Sequence, residues 1–138
     1  MTNRPLPHPD PATAPYWVAA SRRKFTLPQC ESCGKFHFYP RALCPHCGSH
    51  TIRWSSPTGL GSVYSMTVVH RAPSPSFEAM VPYVVALVAL DEGPHLMSNI
   101  VNCAAADVRI GQRVKATFSD LADGFALPVF EPVNATLK

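Results

Sequence analysis

Cys30, Cys33, Cys44 and Cys47 are the residues of this chain whose type and spacing speak most plainly of chemistry. Two residues between paired cysteines let both sulfurs grip one ion as a knuckle, and a second knuckle further along closes a tetrahedron. Gly34 and Gly48 follow the two knuckles, where the tight turn beneath a metal favours positive φ. Pro45 stiffens the second turn. Four thiolates saturate a tetrahedral ion and leave no open position for a substrate, which points to structural zinc. So small a ribbon buries too little to fold alone, and metal binding on the order of 10 kcal/mol would supply its stability. His37, His46 and His50 lie beside the cysteines and are expected on the surface, not on the metal.

The Cys-Pro-x-Cys-Gly knuckle also holds iron in rubredoxins, so spacing alone leaves the metal open between zinc and iron. Other candidates for chemistry are weaker. Cys103 stands alone after an apolar run and reads as a buried, inert thiol before it reads as a nucleophile. His70 and His95 fall near strand ends with no partner at a telling distance in the sequence. No G-x-S-x-G elbow, phosphate-cradling glycine loop or HExxH pair occurs. No catalytic residue is therefore assigned, and no residue is assigned to a cofactor.

The elements that must position the metal are short. Prolines 5, 7, 9, 11 and 15 make residues 1–15 an extended tail, and PYWVAASRRK then reads as a short helix with Tyr16, Trp17 and Ala20 on one face. Arg22, Arg23 and Lys24 would close that helix at its C-terminus. FTLPQ leads as a strand into Cys30, and Arg53-Trp54-Ser55 leads out of the ribbon. Five strands follow: 62–70, 83–90, 95–101, 113–119 and 125–130. A long proline-bearing loop over 71–82, a tight turn at DEGP and a small connector at CAAAD separate them. Five strands so spaced predict an OB-fold, a five-stranded Greek-key barrel, with an open β-sandwich as the alternative. The expected organisation is a tail and short helix over 1–29, a zinc ribbon over 30–56 and the barrel over 57–138.

Composition narrows the function. The chain has 138 residues, 15 prolines, 46% hydrophobic residues and only 15% charged ones, which suits a β-rich chain with surface meant to be covered. Up to Ser56 seven basic residues face two acids; beyond it five face seven. A basic front half suits the phosphates of a coenzyme, an acidic protein surface or nucleic acid. The nucleic-acid reading wants aromatic platforms in a basic groove, whereas the second and third barrel strands offer Tyr83 among aliphatic residues. YVVALVAL lacks polar alternation, so its outward face needs cover from the ribbon, the helix or another chain. No run is long enough to span a membrane and the start has no signal-peptide core. A cytoplasmic protein is expected.

The chain resembles the DUF35 family, in which a rubredoxin-like zinc ribbon precedes an OB-fold. The resemblance rests on Pro15-Tyr16-Trp17, on the four cysteines with Pro40-Arg41 before the second knuckle, and on Trp54. It continues through Gly59-x-Gly61-x-Val63-Tyr64-Ser65, Pro82-Tyr83, Leu90-Asp91-Glu92-Gly93, Ile110-Gly111-x-x-Val114 and Leu127-Pro128-x-Phe130. It implies an accessory subunit of a thiolase-superfamily enzyme: a thiolase, a condensing enzyme or a retro-aldolase. The partner would supply the catalytic residues, while this chain docks on it and helps form a site for a coenzyme A thioester.

Overall fold

The structure is a computed structural model and describes residues 4–133. The tail turns into helix α1 (Ala14–Ser21) through a reciprocal pair. The Thr13 N–H donates to Asp10 Oδ1 at 2.9 Å, and the Asp10 N–H donates to Thr13 Oγ1 at 3.0 Å. Pro15 sits in the first turn, where no intrahelical N–H is needed. Eight residues are too few for a helix to hold by itself. It holds by burying Tyr16 and Ala20, while Trp17 meets Phe125 edge to face at 6.4 Å.

The helix expected over 15–24 stops at Ser21. Arg23 takes a left-handed φ of 63°, and the Lys24 N–H folds back onto the Ala19 carbonyl at 2.9 Å. Arg22 is the C-cap residue, its N–H on the Ala19 carbonyl, and Arg23 and Lys24 lie beyond the last turn. Arg23 pairs with Asp120 on the barrel.

Strands β1 (Leu27–Cys30) and β2 (Ile52–Ser55) form the two-stranded antiparallel base of the ribbon, with Cys30 opposite Ile52. Then come β3 (Leu60–Val69), β4 (Tyr83–Leu90), β5 (His95–Ile100), β6 (Arg113–Asp120) and β7 (Ala126–Pro132). They close as a barrel in the order β3-β4-β5-β7-β6, so the OB-fold expected from the sequence is the fold observed. The β5–β7 seam is parallel and narrow, registered at Ile100 and Phe130.

Alternation survives where one face is buried. In β4, Val84, Ala86, Val88 and Leu90 point inward, and Tyr83, Val85, Leu87 and Ala89 form a half-buried outer face. In β3 a bulge between Val63 and Ser65 resets the phase, leaving Tyr64 and Ser65 both exposed before Met66 turns back toward the core. Gly61 lies where β3 crosses close to β4; a Cβ there would stand 2.6 Å from the Ala89 carbonyl oxygen.

One core runs through both parts. Phe130, Val63, Val88 and Val114 fill the barrel, and Phe25 and Leu27 carry the same cluster up to the ribbon. Phe25 meets Phe130 edge to face at 6.0 Å. At the β4–β5 turn, Arg113 donates to both Asp91 oxygens at 2.8 and 2.7 Å and to Ser62 Oγ at 3.1 Å. That fork ties β6 to the hairpin end and to β3.

Candidate metal centre and apolar groove

The four cysteine Sγ atoms lie within 4.8 Å of one another. Cys30 Sγ is 3.6 Å from Cys47 Sγ, and Cys33 Sγ is 3.7 Å from Cys44 Sγ. A tetrahedral ion with Zn–S bonds near 2.3 Å requires sulfurs about 3.8 Å apart, so the cluster fits zinc. Gly34 and Gly48 adopt φ of +78° and +79°, the conformation expected beneath each knuckle. Backbone N–H groups already point at the sulfurs: Cys33 donates to Cys30 Sγ at 3.4 Å and His46 to Cys44 Sγ at 3.3 Å. Donation from the Cys33 amide draws the Cys30 thiol down to about 6. The Ser49 amide favours the Cys47 thiolate, but the neighbouring sulfurs and burial outweigh it and hold Cys47 up at about 11. Four sulfurs this close can all ionise together only with a cation among them.

The cluster is lopsided. Cys30 and Cys44 are buried, whereas Cys33 and Cys47 face solvent. The histidines divide as well. His46 and His50 are exposed as expected, but His37 is only 3% exposed. The expectation of a surface His37 fails because the bridge between Gln29 and Phe36 and the bond from the His37 N–H to the Pro28 carbonyl turn its ring inward. Burial lowers its pKa below the ordinary histidine value, which keeps the ring neutral. Neither ring nitrogen has a hydrogen-bond partner among the described residues.

Cys103 follows β5 half-buried, and burial, then the charge of Asp107, raises its pKa. A thiol so held is a poor nucleophile at neutral pH. His95 packs against the Tyr64 ring, tilted by 46° with the ring centres 4.6 Å apart.

Sequence reasoning missed a groove of about 350 Å³ on the outside of the barrel. Tyr16 and Trp17 of α1 form one wall together with Phe38, Tyr39 and Pro40 of the ribbon. Phe77 and Tyr83 line it too, their rings 6.0 Å apart, and Arg4 lies over the Phe77 ring. Val85, Met97 and Leu127 line it from the sheet. The polar lining is uncharged: Thr13, Ser98 and Asn99, the last donating to the Val84 carbonyl at 2.8 Å. Met97 is 71% exposed and Tyr39 58%. The signal was present in the sequence as the apolar outer face of β4, but the other walls come from remote segments.

A zinc ribbon joined to an OB-fold barrel with an apolar groove between them defines the class of the chain. Residues 17–53 match the family described as ChsH2, rubredoxin-like zinc ribbon domain, and residues 54–119 match ChsH2, C-terminal OB-fold domain. A solved structure titled Ltp2-ChsH2(DUF35) aldolase superposes with a TM-score of 0.82 at 37% identity, covering 92% of this chain and 98% of that one. The chain belongs to the DUF35 family.

Among curated relatives, it is 38% identical over 129 residues to a probable enoyl-CoA hydratase alpha subunit of Thermomonospora curvata, covering 94% of this chain and 40% of that protein. It is 41% identical over 91 residues to a DUF35 domain-containing scaffold protein of Methanocaldococcus jannaschii, covering 65% of this chain and 64% of that protein. The chain thus spans less than two thirds of the length of either relative. No helix among the described residues is long and apolar enough to cross a membrane.

Proposed function

We propose that this chain is a non-catalytic accessory subunit that docks on a thiolase-superfamily enzyme and helps form or stabilise its acyl-CoA site. The observation that carries the reading is the uncharged apolar groove bordered by Trp17, Tyr39 and Met97. A concave apolar surface with no charged side chain in its lining, in a chain of low charge, is suited to being covered by a partner. The relatives are named as a hydratase alpha subunit, a scaffold protein and a component of an aldolase, which agrees with work done in company. In this reading Cys30, Cys33, Cys44 and Cys47 hold zinc in a structural role. Exposed Arg22, Lys24, Arg41 and Arg53 on the front half would face the phosphates of a coenzyme A thioester shared with the partner.

The nucleic-acid reading would use the adjoining rings of Tyr64 and His95 as a platform. Strands β3, β4 and β5 carry no Lys or Arg, so that platform has no cation on its own strands to meet a phosphate backbone. Purification of the tagged full chain from its native cells, with mass spectrometry of what accompanies it, tests the proposal. An acyl-CoA enzyme of the thiolase class in stoichiometric amount supports it; retention of nucleic acid without such an enzyme contradicts it.

A further inference from the structure

Cys33 and Cys44 bound the ribbon segment that walls the groove. Residues 38–43 make no backbone–backbone hydrogen bond to any described residue. Upstream, the segment is fixed by the His37 N–H on the Pro28 carbonyl at 3.1 Å and by the bridge from Phe36 to Gln29. Downstream, it is fixed through Cys44. The second knuckle closes on itself, the Cys44 N–H donating to the Ser49 carbonyl and the Gly48 N–H to the Cys44 carbonyl. Against the first knuckle it is positioned by the sulfur cluster, by the hydroxyl contacts of Ser32 with Ser49 and Thr51, and by the Glu31 N–H on the Thr51 carbonyl at 2.8 Å. Within the groove, Phe38 touches Tyr16 at 5.8 Å between ring centres, and Tyr16 touches Trp17 at 5.0 Å.

The occupant is constrained by charge. Among the groove's lining residues there is no Lys, Arg, Asp or Glu, and strands β3, β4 and β5 have none either. A cationic guest would be desolvated here without a counter-ion, and an anionic one would find only Arg4, over the Phe77 ring. We propose that the groove receives an uncharged, apolar segment of the partner enzyme, and that zinc, by pinning Cys44 to Cys33, sets the affinity of that contact. The inference rests on the reading of the chain as an accessory subunit and specifies its docking surface. Metal and partner are then coupled through one wall, and each strengthens the binding of the other.

The test uses the full chain and the thiolase-class enzyme that co-purifies with it. Dissociation constants are measured for the unaltered chain, for Met97→Lys, for Tyr39→Lys and for Ile110→Lys. Ile110 is 69% exposed but lies outside the groove, so it controls for a surface charge elsewhere. The two groove variants are expected to weaken binding about tenfold or more, with Ile110→Lys within about twofold of normal. Thermal melts of the three variants should stay close to that of the unaltered chain, because each side chain is exposed.

The metal arm uses a Trp54→Phe background, in which Trp17 is the sole tryptophan. Chelation should shift Trp17 emission and weaken the partner about tenfold or more, and zinc should restore both. Groove variants that bind like the unaltered chain would overturn the docking site while leaving the accessory reading standing. Unchanged emission and affinity after chelation would overturn the metal coupling. Failure of any acyl-CoA enzyme to co-purify would remove the accessory reading itself.

Discussion

Cys33 Sγ and Cys44 Sγ approach to 3.7 Å although the residues are 11 positions apart, and the segment between them supplies Phe38, Tyr39 and Pro40 to the groove. The metal cluster and the apolar surface therefore share one stretch of chain. What stabilises the first shapes the second.

Serine at Cys33 or Cys44 removes one thiolate from the cluster. Zinc content should fall, and residues 25–56 should become sensitive to protease, since metal binding on the order of 10 kcal/mol is the main term holding so small a ribbon. A metal-free variant as protected as the unaltered chain would contradict the structural role.

Trp17 packs on Phe125 and Tyr16 and also lines the groove, so its removal should register twice. Trp17→Ala is expected to lower the melting temperature by several degrees and to weaken the partner by ~2 kcal/mol. Arg22→Ala, an exposed charge, should act mainly through salt-dependent association. Calorimetry and binding kinetics on the same preparations separate these effects.

Gly61→Ala places a methyl against the Ala89 carbonyl oxygen, which is backbone and cannot swing aside. The barrel should lose about 1–3 kcal/mol in denaturant unfolding. A loss of a few tenths would mean that β3 and β4 part more easily than their register implies.

How much of this was legible in the sequence depends on the range of the interaction. The knuckles declare themselves through spacing alone, and β4 runs over the very residues, Tyr83–Leu90, that its apolar run marks out. The helix read over 15–24 overruns α1 because no glycine marks the left-handed turn at Arg23, whose side chain pairs with Asp120 far along the chain. His37 reads as a surface residue because a lone histidine beside cysteines gives no sign of the bridge that turns it inward. Gly61 could be read as a motif residue, but its reason, the passing Ala89 carbonyl, exists only once two strands are paired. The groove needs Trp17, Tyr39 and Met97 together, and nothing in the separate segments records that they meet.

The Arg113 fork holds the Asp91 carboxyl below its ordinary pKa, chiefly by hydrogen bonding. A folded-state pKa below the unfolded value means that the contribution is complete above the unfolded pKa of about 3.9 and is lost as pH falls through the folded one. Asp91→Asn should lower stability at neutral pH and make it fall less steeply on acidification. Melting temperatures from neutral pH down to about pH 3 check the sign; parallel curves for the two proteins would show that the pair contributes nothing.

Cys103→Ala should leave partner-dependent turnover within a few-fold of normal and cost at most about 2 kcal/mol of stability, because the thiol is partly buried and its pKa is raised. A loss of several orders of magnitude with the complex intact would make Cys103 a catalytic group.

The central claim is that chemistry belongs to the partner. The most direct measurement is acyl-CoA turnover by the purified chain alone, by the co-purifying enzyme alone and by the two recombined. The account expects no turnover from this chain by itself and full activity only on recombination. Cleavage or condensation of an acyl-CoA at an enzymatic rate by this chain alone would contradict it.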